Sequence, residues 1–114
     1  MFHKYTFNKS TTFSTAYTWY NTGVAGDNMA TGAYLISLSI GNDQYIGTMS
    51  WYAGSDVGST DYDEIVLHKA GKATAGSCFY LRTKRSSTTL SLQISSNKQI
   101  TSSTSYTITA RKLL

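Results

Sequence analysis

Apolar and polar residues alternate along most of the chain. Tyr34, Ile36, Leu38 and Ile40 fall on one side of an extended segment, with Leu35, Ser37 and Ser39 on the other. Leu90, Leu92 and Ile94 alternate with Ser91, Gln93 and Ser95, and Tyr106, Ile108 and Ala110 with Thr107, Thr109 and Arg111. Successive side chains of a strand point to opposite faces, so period-two runs of this kind predict half-buried antiparallel strands. Shorter segments of the same character are Lys4 to Phe7, Ala16 to Tyr20, Tyr45 to Trp51, Glu64 to His68 and Cys78 to Lys84. No stretch carries the 3.6-residue spacing of an amphipathic helix of normal length.

The punctuation between these runs agrees with them. Thr22-Gly23 through Thr31-Gly32 reads as a Gly-rich loop and Gly41-Asn42-Asp43 as a tight hairpin turn. Polar stretches at 53–61 and 71–77, a short turn at 85–87 and a longer one from Ser96 to Ser103 complete the set. About eight short strands at this spacing predict one all-β domain over residues 1–114, an antiparallel β-sandwich. Residues 1–14 read as a lead-in strand from a preceding shaft or domain. If every connection reverses the chain, the loops at Asn8 to Phe13, Asn42 to Gln44, Lys69 to Ser77 and Ser96 to Ser103 share one end of the sandwich. Those at Asn21 to Thr31, Tyr52 to Tyr62 and Arg85 to Thr88 share the other with both termini.

Composition adds a surface to this frame. Only 14% of the 114 residues are charged, and 33 Ser plus Thr with nine Tyr take their place, against roughly 25% charge in an average soluble domain. Tyr, Ser, Gly and Asn together make an adaptable binding surface. The net charge of +4 is a mild bias toward anionic partners. Cys78 is alone, which excludes an intrachain disulfide, and its place in an apolar strand pattern reads as a buried free thiol. No apolar run approaches the ~18 residues of a membrane-spanning helix, so membrane insertion is not expected.

Catalysis finds little footing. No Gly-x-Ser-x-Gly elbow is present, Cys78 lies inside a strand, and His68 ends one. We therefore expect no enzyme, no catalytic residue and no cofactor. Asp56, Asp61, Asp63 and Glu64 crowd one loop, but their spacing matches no standard calcium loop. We read them as a solvated acidic loop that pairs with Arg82, Lys84 or Arg85, and expect no metal. Arg82-Thr83-Lys84-Arg85 after Phe79 and Tyr80 reads as a polar sheet face or charged subunit contact rather than a nucleic-acid groove. Trp19 and Trp51 read as core or intersubunit packing.

From Met49 onward the order of segments carries a resemblance. Met49-Ser50-Trp51-Tyr52 precedes a Gly/Ser/Thr/Asp loop. Asp63-Glu64-Ile65-Val66-Leu67-His68-Lys69-Ala70-Gly71, then Phe79-Tyr80-Leu81-Arg82-Thr83, then Leu92-Gln93-Ile94 follow, and the chain closes on an aromatic-bearing strand and Arg111-Lys112-Leu113-Leu114. From Gly32 to the C-terminus this resembles the C-terminal tip domain of tail fibres and tailspikes of short-tailed bacteriophages and prophages. The resemblance implies a homotrimer of β-sandwiches on a virion. It would act outside the cell, without cofactor or nucleic acid, and recognise bacterial lipopolysaccharide or an outer-membrane protein through loops at its outer end. The first third departs from that pattern, and Lys72-Ala73-Thr74 stand where such domains often carry a further His.

The contact residues expected on the outer loops are Asn42, Asp43 and Gln44, then Lys69, Lys72 and Thr74, then Asn97, Lys98 and Gln99. Their amides, hydroxyls and carboxylate suit sugar hydroxyls, and the three lysines suit lipopolysaccharide phosphates. Two other functions fit the same residues. One is a monomeric carbohydrate-binding module beside a polysaccharide-degrading enzyme, with an aromatic platform on one sheet face. The other is a structural trimerisation cap for a fibre.

Overall fold

The computed structural model describes residues 3–70 and 78–114. Nine strands lie among them: β1 (Lys4–Phe13), β2 (Tyr20–Ala25), β3 (Gly32–Ile40), β4 (Asp43–Trp51), β5 (Tyr62–Glu64), β6 (His68–Ala70), β7 (Phe79–Arg85), β8 (Leu90–Ser96) and β9 (Ile100–Lys112). They form two antiparallel sheets, ordered β1-β9-β3-β4-β6 and β2-β8-β7-β5. The alternation read from the sequence sets which side chains face inward. Tyr34, Ile36, Leu38, Ile108 and Ala110 of the larger sheet meet Val24, Leu81, Leu92 and Ile94 of the smaller in one buried cluster. The all-β fold and its two packed antiparallel sheets thus follow from period-two patterning.

Five segments differ from the sequence expectation. Asn8 to Phe13 is strand rather than loop. β1 pairs with β9 from Lys4↔Arg111 to Thr11↔Thr104, and a register shift then brings Phe13 opposite Ile100. The expected turn at Ser96 to Ser103 shrinks to residues 97–99 for the same reason, because polar Thr and Ser pair as an exposed two-stranded ribbon without an apolar signal. The opening residues are therefore an edge strand of the larger sheet.

The segment read as a Gly-rich loop begins as β2, whose pairing with β8 shifts between Asn21 and Ala25. Gly23 sits in that bulge at φ +88°, a backbone conformation that L side chains rarely adopt. The Thr22 hydroxyl donates to the Leu92 carbonyl at 2.7 Å and accepts from the Val24 N–H at 3.2 Å. Here glycine marked an irregular strand rather than the absence of one. Conversely, Ala16 to Tyr20 is not extended, and only Tyr20 belongs to a strand.

The fifth difference is Glu64 to His68, read as one strand. Its two ends lie in different sheets. β5 pairs with β7 (Tyr62↔Lys84, Glu64↔Arg82), whereas β6 pairs with β4 (Gln44↔Ala70, Ile46↔His68). Residues 65–67 cross between the sheets over Gly47, where an added Cβ would stand 2.5 Å from the Val66 carbonyl oxygen. Because β5 and β6 run in the same direction, the crossing reverses nothing. The expected sorting of connections therefore holds despite the extra strand. The 41–42 turn, Ala70, Cys78 and the 97–99 turn lie at one end, opposite Lys4, Lys112, the Gly26–Asn28 turn, residues 52–61 and 86–89.

Buried anchors tie the sheets at both ends. At the loop end the Phe13 ring lies 5.5 Å from Phe79 and 5.9 Å from Tyr20. At the other end the buried Trp51 indole N–H donates to the Gly26 carbonyl at 2.7 Å. The Ala30 N–H donates to the Tyr5 hydroxyl, and the Tyr34 hydroxyl donates to the Ala30 carbonyl. Of the two Trp read as core or intersubunit packing, Trp51 is in the core and Trp19 is half-exposed.

Candidate functional site

The loop end gathers most of the residues expected to contact a receptor. Asn42 is exposed in the β3–β4 turn, and Gln44 is exposed on the outer face of the larger sheet opposite Ala70. Asp43 is buried at 6% exposure, and the Lys69 ammonium lies 3.5 Å from its Oδ1. That oxygen accepts no hydrogen bond from the described residues, and Lys69 supplies compensating charge while also lying over the Tyr45 ring at 5.8 Å. Asn97 closes the end of the β7–β8 pair: its Oδ1 accepts from the Cys78 N–H and its own N–H donates to the Cys78 carbonyl, both at 3.1 Å. Cys78 itself, read as buried, is only half-buried.

Lys98 and Gln99 are exposed on the same turn. The Gln99 amide donates to the Ser14 carbonyl at 3.0 Å, which ties this turn to the segment leaving β1. Lys72 and Thr74 lie outside the described residues. Among the described loop residues, then, Asn42, Gln44, Lys98 and Gln99 present polar groups to solvent. Asp43, Lys69 and Asn97 are engaged in building the end itself.

A second cluster lies on the outer face of the smaller sheet. On β7, Tyr80, Arg82 and Lys84 alternate outward, since Phe79, Leu81 and Thr83 are buried. On β5, Tyr62 and Glu64 flank them. Residues 14–19 fold back across the end of β8, held by the Tyr17 N–H donating to the Ser96 carbonyl at 2.8 Å. That return puts Tyr17 and Trp19 over the sheet and covers Ser95, which faces outward yet is only 1% exposed.

The Arg82 guanidinium stands between two rings, 4.5 Å from the Trp19 centroid and 4.4 Å from that of Tyr62. Its Nε–H donates to Gln93 Oε1, and the Gln93 amide donates to Asn21 Oδ1, both at 2.8 Å. Burial lowers the Arg82 pKa, while Tyr62 and Glu64 act in the opposite sense. Tyr17 and Tyr80 lie 6.4 Å apart with planes 24° from parallel. Tyr17, Trp19, Tyr80, Glu64 and Ser95 line a groove of about 370 Å³.

Sequence reasoning missed this cluster because its members come from four separate segments. The signal present was Tyr80-x-Arg82 on one strand face, opposite Gln93. The role of Trp19 depends on the return of 14–19, which periodicity does not encode.

Elsewhere the acidic residues do not converge. Among the described residues no three His, Cys, Asp or Glu side chains approach as a metal site would require. Asp63 instead pairs with Arg85 at 2.9 Å, one of the pairings expected. His68 is exposed at the start of β6, paired with Ile46. Comparison of the chain with family models, curated proteins and solved structures returns no match.

Proposed function

We propose that this domain is a non-catalytic attachment module, the receptor-binding tip of a homotrimeric bacteriophage tail fibre. It would fasten the virion to a bacterial surface glycan such as lipopolysaccharide, or to an outer-membrane protein. The observation that carries this reading is the sorting of connections. The 41–42 and 97–99 turns, the end of β6 and the start of β7 stand at the end farthest from Lys4 and Lys112. A shaft joined at the terminal end leaves the polar loop end facing outward, with Asn42, Gln44, Lys98 and Gln99 exposed and Lys69 half-buried beside them. Shallow polar contacts of this kind are individually weak, and three copies on one fibre compensate through avidity.

The outer face of the larger sheet suits the subunit contact. It is a flat array of Ser37, Ser39, Thr107 and Thr109 that also exposes Leu35 (36%) and Ile46 (43%). The test is binding of the purified domain to whole cells with and without intact lipopolysaccharide, together with its mass in solution. Binding by a trimer, weakened several-fold by Lys98→Ala, is the expected result. A stable monomer at micromolar concentration that ignores both cell types would refute the reading.

A further inference from the structure

We infer that the groove bounded by Tyr17, Trp19, Tyr80 and Glu64 on the outer face of the smaller sheet is a sugar-binding subsite for the pyranose rings of a neutral glycan. It is separate from the loop end, and the inference holds whether or not the domain tips a fibre.

Four observations converge on this assignment. The first is backbone conformation. Tyr17 adopts φ +60°, a left-handed conformation that costs a bulky residue on the order of 1 kcal/mol or more. Glycine or asparagine would suit that position better. Yet its side chain is 67% exposed, so burial within the chain offsets little of the cost. Strain at an exposed aromatic ring points to a task for the ring.

The second is ring placement. Tyr17 and Tyr80 are nearly parallel and border the same groove as Trp19. The C–H-bearing faces of pyranoses stack on such rings, as apolar ligand surfaces do on aromatic linings. Arg82, filling the space between Trp19 and Tyr62 and anchored through Gln93 to Asn21, acts as a positioning residue. It fixes both rings before any ligand arrives, which lowers the entropic cost of binding.

The third is charge. Arg82 and Glu64 stand opposite each other across β7 and β5, so the groove has little net charge to attract an anion or a cation. The guanidinium faces are occupied by protein rings. The Glu64 carboxylate is exposed and accepts no hydrogen bond from a described residue, which leaves both oxygens for sugar hydroxyls. A protein partner fits less well, because interface cores are depleted of carboxylates. The fourth is size: about 370 Å³ lies within the range of small-ligand sites, and the groove is partly open to solvent.

The experiment uses the whole chain in native gels cast with dextran, galactomannan, glucomannan or, as the anionic control, polygalacturonate. Acrylamide quenching of tryptophan is measured in parallel. Trp51 is buried and Trp19 half-exposed, so quenching reports the site. The expected result is retardation by at least one neutral polymer and protection of Trp19 by it. Tyr80→Ala or Tyr17→Gly should weaken retardation at least tenfold and Glu64→Gln severalfold, whereas Lys98→Ala leaves it unchanged. The Tyr17→Gly variant keeps the fold, since the left-handed backbone suits glycine.

Three results overturn the inference. One is no retardation by any neutral polymer. Another is retardation by polygalacturonate alone. The third is a Trp19 already shielded from acrylamide in the free protein, which would mark this face as a contact between copies of the chain. A stable monomer that binds neither cell type, with neutral-polymer binding intact, would remove the fibre-tip reading and leave this one standing.

Discussion

Gly47→Ala is the substitution that most directly tests how the two sheets are joined. In an ordinary strand this change stabilises by about 0.5–1 kcal/mol, because alanine has less backbone freedom to lose. Here the new Cβ would lie 2.5 Å from the Val66 carbonyl oxygen, 3.1 Å from Leu67 Cδ2 and 3.2 Å from Ile65 Cγ2. The nearest atom is backbone and no rotamer change relieves it, so residues 65–67 must lift from β4. Ile65 and Leu67 are half-buried against the core. Full burial of such a side chain is worth about 1.5–3 kcal/mol, so lifting the pair forfeits about 2 kcal/mol in total. After the propensity gain is subtracted, a net loss of about 1–2 kcal/mol remains, within the range for overpacked sites. Urea unfolding should show a midpoint about 1 M lower at unchanged slope. A variant as stable as the parent, or more so, would refute the close approach of the crossover.

Three further outcomes follow from the same structure. Burial raises the Tyr34 hydroxyl pKa from 10.0 to about 12, with the Tyr5 hydroxyl adding to the shift. The folded state therefore holds its proton longer than the unfolded chain. That stabilisation is complete below pH 10 and is lost as pH rises toward 12, on the order of 2–3 kcal/mol. Urea midpoints taken from pH 9 to 12 should fall accordingly, and Tyr34→Phe should flatten the fall. Lys69→Met leaves the buried Asp43 carboxylate without its counter-charge and should cost about 1–2 kcal/mol by thermal unfolding. Ile46→Glu places a charge on the proposed subunit face and should convert the assembly to monomers by light scattering without unfolding the β structure seen by circular dichroism.

The fold was legible wherever strands bury one face. β3, β8 and most of β9 announce themselves by alternation, because half of their side chains must be apolar. Apart from the facing Phe13 and Ile100, the distal ribbon of β1 and β9, from Ser10 to Phe13 and Ile100 to Ser105, is written in Ser and Thr. Those residues are compatible with both strand and loop. Gly23 was misread because one glycine serves either a bulge or a turn, and only the Thr22–Leu92 hydrogen bond, 70 residues apart in sequence, distinguishes them. The end to which Asn42, Lys69 and Lys98 belong could be deduced by counting reversals, since a crossover that keeps its direction does not disturb the count. Whether their side chains are exposed could not. Asp43 and Lys69 neutralise each other at 3.5 Å, a pairing set by β4–β6 register. The aromatic face depended on one folded-back segment whose left-handed Tyr17 has no signature in composition.

The ladder between β1 and β9 has a mechanical consequence. It runs from Lys4↔Arg111 at the terminal end to Thr11↔Thr104 beyond the β3–β4 turn, parallel to the line that joins the two ends of the sandwich. Tension between an anchor at Lys4 and a weight hung on the 97–99 turn pulls these neighbours lengthwise past each other, so all their cross-strand hydrogen bonds resist together. Drawing Lys4 and Lys112 apart from the same end would instead peel the ladder open one rung at a time. The pairing thus resists a pull between the loop end and Lys4, and yields most readily when Lys4 and Lys112 are prised apart.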